Sequence, residues 1–331
     1  FLFTTIFLQS VDGLERKIHS RGVSVILILG SVITVGIWFF GSFIANLGSQ
    51  IKVFTNKLQK EDFAISLEGL SIKIRDYLPE FVGNMIPESE KLISIAKESL
   101  GSVFQNILSL LGSAGSFFFL AVMIIIFTII LLIEYHDFKR TLVRFIPNKY
   151  LEVGLRTIYN IEKQISSYLR GQILAASSVA ILSIIGLLIL NQLGANMTLV
   201  VFIGIIAGLA NLIPMVGPFV GMVPAILIAL MNNLGNDVAM NHQLFGAIPS
   251  PFFMMDIVFM FIIVQQIDNN FITPILVGES VGLHPMAVMI VLLIGGTMMG
   301  PLGMLFAIPA AGVLKVIISE TIFISKNSHL L

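Results

Sequence analysis

The 331-residue chain contains no cysteine, which excludes disulfides, thiolate metal sites and redox-active thiols. Charge is scarce: Asp, Glu, Lys and Arg make up 11% of the residues, against about 25% in a soluble domain. The charges balance, 19 basic against 19 acidic, so no basic excess exists to hold a nucleic acid. The sequence has no H-E-x-x-H, no P-loop and no His/Asp/Glu spacing suited to a metal, and it points to no catalytic residue and no cofactor. "GESVG" at Gly278–Gly282 fits the G-x-S-x-G elbow. That motif places a nucleophile only at a strand-to-helix turn in a soluble sheet. Nothing here supplies the sheet, so Ser280 is not read as one.

What is present is apolar. Hydrophobic residues make up 56% of the chain and the mean hydropathy is +0.97. Uncharged runs long enough to cross the ~30 Å hydrocarbon core as helices recur through it. The fold class read from this is an all-α polytopic integral membrane protein, with lipid as its surroundings. About eight membrane-crossing or re-entrant helices are expected: Val23–Phe43, Phe117–Ile133, Ile173–Leu190, Thr198–Pro214, Gly217–Met231, Met254–Leu276, Met286–Gly300 and Leu302–Ser319. The opening "FLFTTIFLQ" reads as the end of an upstream span, with the true N-terminus missing.

Loop charge sets the orientation. Asp12–Gly22 carries Arg16, Lys17 and Arg21, and Glu134–Gly171 carries seven basic residues, so both are expected in the cytoplasm. Asn191–Met197 and Asn232–Phe253 carry no Lys or Arg and are expected outside. Lys315 and Lys326 put the C-terminus inside. The resulting division is residues 1–44 as N-terminal membrane segments, 45–116 as a small extracytoplasmic domain, 117–133 as a span, 134–171 as a cytoplasmic basic amphipathic segment and 172–331 as a transport core. Within 45–116, Leu92, Ala96, Leu100, Val103, Ile107 and Leu111 have helical spacing, and "ISLEGLSIKIR" alternates as a short hairpin does. Leu151, Leu155, Ile158, Ile165 and Leu169 form one apolar stripe, suited to the inner membrane surface or to another protein helix.

Two pairs of runs are too short to span singly. At 1.5 Å per residue, ~16 residues reach only about 24 Å. The first pair turns at "NLIPMVGP", with Pro214, Gly217 and Pro218, and the second at "GTMMGPLGM", with Gly300 and Pro301 and then Pro309. Each reads as a re-entrant or tilted hairpin, and the two tips share Gly-Pro, Gly-Met and Pro-Ala steps, as an inverted repeat would.

One polar cluster stands out. "QQIDNN" follows the apolar run Ile257–Val264 directly. If Ile257–Leu276 spans, Gln265, Asp268 and Asn269 share a face and Pro274 frees a backbone carbonyl near Asn270. An aspartate at the bilayer centre costs about 2.5–3.5 kcal/mol. One reading makes Asp268 a cation or proton site with Gln265, Asn269 and Asn270 as neutral ligands, and Glu279 and His284 as secondary titratable groups. The other makes the cluster an interfacial helix end, with Pro274 and Gly278 as terminators and His284 as the start of the next helix.

The succession "SSYLRGQ", "GLANLIPMVGPFVGMVPAIL", "QQIDNNFITPILVGESVGLHPMAVMIVLLIGG" and "GMLFAIPAAGVLKV" resembles the bacterial autoinducer-2 exporter family of transporters, from about Glu134 to Glu320. Arg170–Gly171, Pro214, Gly217–Pro218, Asp268, Pro274, Gly278, His284–Pro285 and Pro309 fall where that family's motif has them. The resemblance implies an inner-membrane exporter, homo-oligomeric, with further spans upstream. It also implies autoinducer-2 as cargo, or sodium or lithium exchanged for protons. An oligomeric passive channel and a non-transporting scaffold are the alternative readings.

Overall fold

A computed structural model describes residues 2–58, 114–213, 216–233, 236–277 and 282–326, with isolated helical positions at 91, 94, 98 and 102. The expected strand pair within residues 65–75, and the apolar positions of the expected helix after Pro87, lie outside the described residues.

The described chain is almost entirely helical: α1 (Leu2–Ile18), α2 (Arg21–Leu58), α3 (Ala114–Ile133), α4 (Tyr135–Arg144), α5 (Leu151–Leu190), α6 (Val200–Ala210), α7 (Gly217–Asn233), α8 (Met254–Ile267) and α9 (Pro285–Lys326). Gln243–Leu244 and Ile248–Pro249 pair as a two-stranded antiparallel ribbon before α8. Among the described residues, stretches long and apolar enough to cross a membrane include Arg21–Gln50, Asn148–Ala195, Pro251–Leu276 and Met286–Phe323. The protein is a multi-pass membrane protein of all-α class. Hydroxyls inside the apolar helices bond back along their own helix. Thr34 donates to the Gly30 carbonyl at 2.8 Å and Thr128 to Ile124 at 2.7 Å, which keeps them satisfied where no water is available.

Both expected hairpins form, closed by small residues. In α9 the backbone leaves helical geometry at Met299 and at Gly300 (φ 61°, ψ −142°), so its length overstates any single crossing. Residues 301–326 fold back on 285–298, with Gly295 against the Gly303 backbone and Ala307. In the other pair α6 has only 11 residues, about 16 Å. A methyl group added at Gly217 would come within 2.5 Å of the Ala207 carbonyl oxygen, and one at Gly221 within 2.6 Å of Ala207 Cβ. Gly208 lets α6 approach α5 equally closely, at Ala176 and Ala180.

The largest core joins α5, α6, α7 and α8 through Val179, Leu187, Ile203, Ala207, Ala225, Ile228, Ile257 and Phe261. A second gathers Tyr168, Ala175, Val277 and Ile308 between α5 and α9, and a third joins α1, α2 and α3 at Val11, Val25, Leu29 and Leu132. Most of the expected loop Asp12–Gly22 is helix: Arg16 and Lys17 end α1 and Arg21 begins α2, where it donates to Asp12 (3.0 Å), Glu15 (2.8 Å) and the Leu132 carbonyl (2.7 Å).

The apolar stripe from Leu151 belongs to a helix that continues unbroken into the run Ile173–Leu190. It packs on protein rather than lying apart. Glu162 accepts from Tyr135 at 2.8 Å and from Lys139 at 2.7 Å, and Asn160 donates to Glu320 of α9 at 2.7 Å. Burial, then the Glu162 carboxylate, pushes the Tyr135 phenol far above its ordinary value. The neutral phenol is therefore the stabilising form. Its contribution is complete below the ordinary phenol value of about 10 and is lost as pH rises through the folded one. Tyr135→Phe is expected to cost about 1.5–3 kcal/mol, the range for a hydrogen bond to a charged group. Thermal unfolding in detergent at pH 7 would read this as a lowered midpoint.

Candidate functional site

The polar cluster after α8 lies within the last helical turns, which end at Leu276. Asp268–Ile272 forms one π turn and Thr273–Leu276 a final α turn. The Thr273 N–H donates to the Asp268 carbonyl five residues back, and Pro274 offers no N–H to the same turn. A π bulge of this kind shifts the helical register by one residue and is frequent at functional sites. Here it turns Asp268 inward, where the residue is 1% exposed.

Three segments far apart in sequence meet at that carboxylate. Asn211, just past the end of α6, donates from Nδ2 to Asp268 Oδ2 at 3.3 Å, and Thr273 Oγ1 donates to Oδ1 at 3.1 Å. Gln172 on α5 donates to the Asn211 backbone carbonyl at 2.6 Å. Gly217 closes the fourth side: an added methyl would sit 2.6 Å from Asn211 Cβ and 2.9 Å from Asn211 Oδ1. Gly171 lies against the Leu276 carbonyl. The result is a chain of contacts, Gln172–Asn211–Asp268–Thr273, buried at its first three members and half-buried at Thr273.

Its electrostatics are one-sided. Among the described residues no basic side chain pairs with Asp268, and its partners are two neutral donors. Asn211 Oδ1 is buried with no hydrogen-bond partner. An ionised carboxylate in such a place is costly unless a cation or a proton joins it. Asp268 Oδ1 and Oδ2 and Thr273 Oγ1 form the oxygen set at the site, where the carboxylate can hold a proton or a monovalent cation, while Asn211 turns its Nδ2 toward it. The set lies level with Gln172, where the apolar run of α5 begins, and so near one end of the bundle rather than at its middle.

The other candidates spread outward from this point. Gln265 donates to Asn269 Oδ1 at 2.9 Å, one turn before the π bulge, and its own Oε1 is buried without a partner. Asn270 is exposed and bonds back to the Gln266 carbonyl at 2.8 Å; Pro274 is exposed. The exposed His284 accepts the Met286 N–H at 3.3 Å through Nδ1, as a helix-start residue does. Glu279 and Pro214 lie outside the described residues. Gly217 and Pro218 are buried at the first tip, Gly300 and Pro301 form the second, and Pro309 is buried inside α9.

Sequence reasoning missed Asn211 and Gln172. It also missed the other end of α8, where Asp256, 5% exposed, is held by the Ser250 hydroxyl and by His242 at 3.3 Å. The available signal was cost: a lone amide or carboxylate flanking an apolar run must find a partner.

Comparison with known proteins identifies the family. A family profile described as AI-2E family transporter matches residues 1–323. The provisionally named transport protein YueF of Bacillus subtilis (strain 168) is 27% identical over 94% of this chain and 79% of its own length. YrrI of the same organism, also provisionally named a transport protein, is 25% identical over 90% and 79%. YhhT of Escherichia coli (strain K12), again a provisional transport protein, is 24% identical over 96% and 80%.

Proposed function

Because this chain belongs to the AI-2E family of transporters, and is on that ground a membrane transport protein rather than an enzyme, we propose that it is a secondary transporter in which Asp268 carries the coupling charge. The reading places it in the bacterial inner membrane with its C-terminus in the cytoplasm, following the basic loops, and as a homo-oligomer. Its cargo is a small solute such as autoinducer-2, or a monovalent cation exchanged for protons.

The observation that carries this reading is the buried Asp268 carboxylate, whose hydrogen-bond partners among the described residues are the neutral donors Asn211 Nδ2 and Thr273 Oγ1. A group so placed changes its charge only with a proton or a cation, and alternation between the two is what couples an ion gradient to movement. Asp268 and Asn211 form the site, Thr273 orients the carboxylate and Gln172 holds the Asn211 backbone. Gln265 and Asn269 form the adjoining turn. Asn270, Glu279 and His284 belong to the surrounding polar segment in this reading.

The test is cation-for-proton exchange in proteoliposomes with an internal pH dye. Sodium or lithium pulses are expected to move protons through the wild type and not through Asp268→Asn, which keeps size and hydrogen bonding but loses the charge. The variant's elution profile and melting midpoint serve as the folding control. If the wild type moves no protons, cation antiport fails and a neutral-solute exporter or passive pore takes its place. If Asp268→Asn exchanges as well as the wild type, the coupling role of Asp268 fails.

A further inference from the structure

The apolar helix α3 is 20 residues long, about 30 Å, which matches the hydrocarbon thickness. It stops at Ile133, and after the single bend residue Glu134 the chain enters α4. The helix α4 therefore starts where hydrocarbon gives way to headgroups. His136, Lys139, Arg140, Val143 and Arg144 follow one another at helical spacing and line one shallow groove of about 520 Å³. Half a turn round, Phe138 is 43% exposed, and Phe145, just past the helix, is 80% exposed. The third side is fixed to protein through Tyr135 and Lys139 on Glu162, and through Ile146 against Gly154, so the helix cannot roll.

The basic groove is only partly neutralised from within. Lys139 is paired with Glu162 at 2.7 Å. Arg140 reaches Asp137 at no closer than 3.7 Å, with both side chains about four-fifths exposed. For Arg144 no ion pair falls among the described residues. A short helix with bare aromatics on one side, guanidinium groups on the other and a membrane helix one residue away is complementary to an anionic membrane surface. Guanidinium also grips phosphate through two donors at once.

We propose that α4 is a binding site for acidic phospholipid. Arg140 and Arg144 hold headgroup phosphates, and Phe138 and Phe145 rest at the acyl boundary. This assignment is independent of the role given to Asp268.

The experiment is native mass spectrometry of the full chain in non-ionic detergent, titrated with phosphatidylglycerol or with phosphatidylcholine of the same acyl chains. Phosphatidylglycerol is expected to bind the wild type more tightly. Each basic residue near a membrane surface contributes about fivefold, so Arg140→Gln/Arg144→Gln is expected to weaken phosphatidylglycerol on the order of 25-fold and leave phosphatidylcholine unchanged. Arg140→Lys/Arg144→Lys, which keeps the charge, is expected to retain most of the binding. Phe138→Ala/Phe145→Ala is expected to weaken both lipids. Equal binding of the two lipids by the wild type, or undiminished phosphatidylglycerol binding by the glutamine pair, overturns the site. Displacement of the lipid by millimolar inorganic phosphate also overturns it, because that would mark a simple anion site without lipid recognition.

Discussion

Asn211→Leu lowers stability by about 1.5–3 kcal/mol, the worth of a hydrogen bond to a charged group, and abolishes coupled transport. Leucine keeps the branched skeleton of asparagine but carries bulkier methyl termini, so some overpacking against Gly217 adds to the loss. The substitution removes the amide that reaches Asp268 at 3.3 Å and leaves a buried carboxylate with Thr273 alone. The second half of the prediction is non-additivity. Removing both partners with apolar residues is often nearly neutral, because no orphan remains. Asn211→Leu/Asp268→Leu is therefore expected to unfold closer to wild type than the sum of the two single variants. Thermal unfolding of the four proteins of the cycle in one detergent gives the answer. Single-variant effects that add within about 0.5 kcal/mol would mean that the two residues are energetically independent and that the short chain of contacts at the site is incidental.

Gly303→Val is expected to prevent the α9 hairpin from closing. The new side chain meets the Gly295 backbone carbonyl, an atom that has no rotamer to escape into. Overpacking ordinarily costs about 1–3 kcal/mol, and a clash with backbone lies at or beyond the top of that range. Gly300→Ala tests a different cause at the same tip. Nothing stands within 4 Å of an added methyl there, but φ is +61° and ψ −142°, a region close to glycine-only, which costs about 1–3 kcal/mol. Gly13→Ala, in α1 with open space around it, is the control and is expected to stabilise by about 0.5–1 kcal/mol, because alanine is the better helix former. Fluorescence-detected size exclusion after a temperature series separates them: Gly303→Val aggregates first, Gly300→Ala follows, and Gly13→Ala holds at or above the wild-type midpoint. Wild-type behaviour from Gly303→Val would mean that the two arms do not pack as described.

The two hairpins were legible in the sequence because their determinants are local. Gly-Pro steps and runs too short for the membrane are properties of neighbouring residues, and α6 and α7 pack as a pair, as do the two arms of α9 on either side of Gly300, as those properties require. Asp268 was legible for a similar reason: one carboxylate after an apolar run is conspicuous by its cost. Its partner was not. Asn211 sits 57 positions away in "LANLIP", where an asparagine reads as a plain helix end, and only the approach of α6 to α5 across Gly204 and Gly208 brings it to the site. The π bulge was equally hidden, since "QQIDNN" carries no signal for one extra residue in the turn. The stripe on Leu151–Leu169 was visible, but periodicity alone does not say whether lipid or protein covers an apolar face. Here Ile165 is buried and Leu169 packs on the second core while Leu155 stays exposed, and Glu162 and Asn160 on the same helix bond to α4 and α9.

The 40 residues of α5 form one uninterrupted beam, about 60 Å from end to end. It is gripped part-way along, where Gly171 lies against Leu276 and Gln172 bonds to Asn211. From that fulcrum to Leu151 is about 30 Å at 1.5 Å per residue, so a tilt of 10° carries the Leu151 end through about 5 Å. That arm bears Glu162, which holds α4, and Asn160, which holds Glu320, so such a tilt would carry both attachments with it.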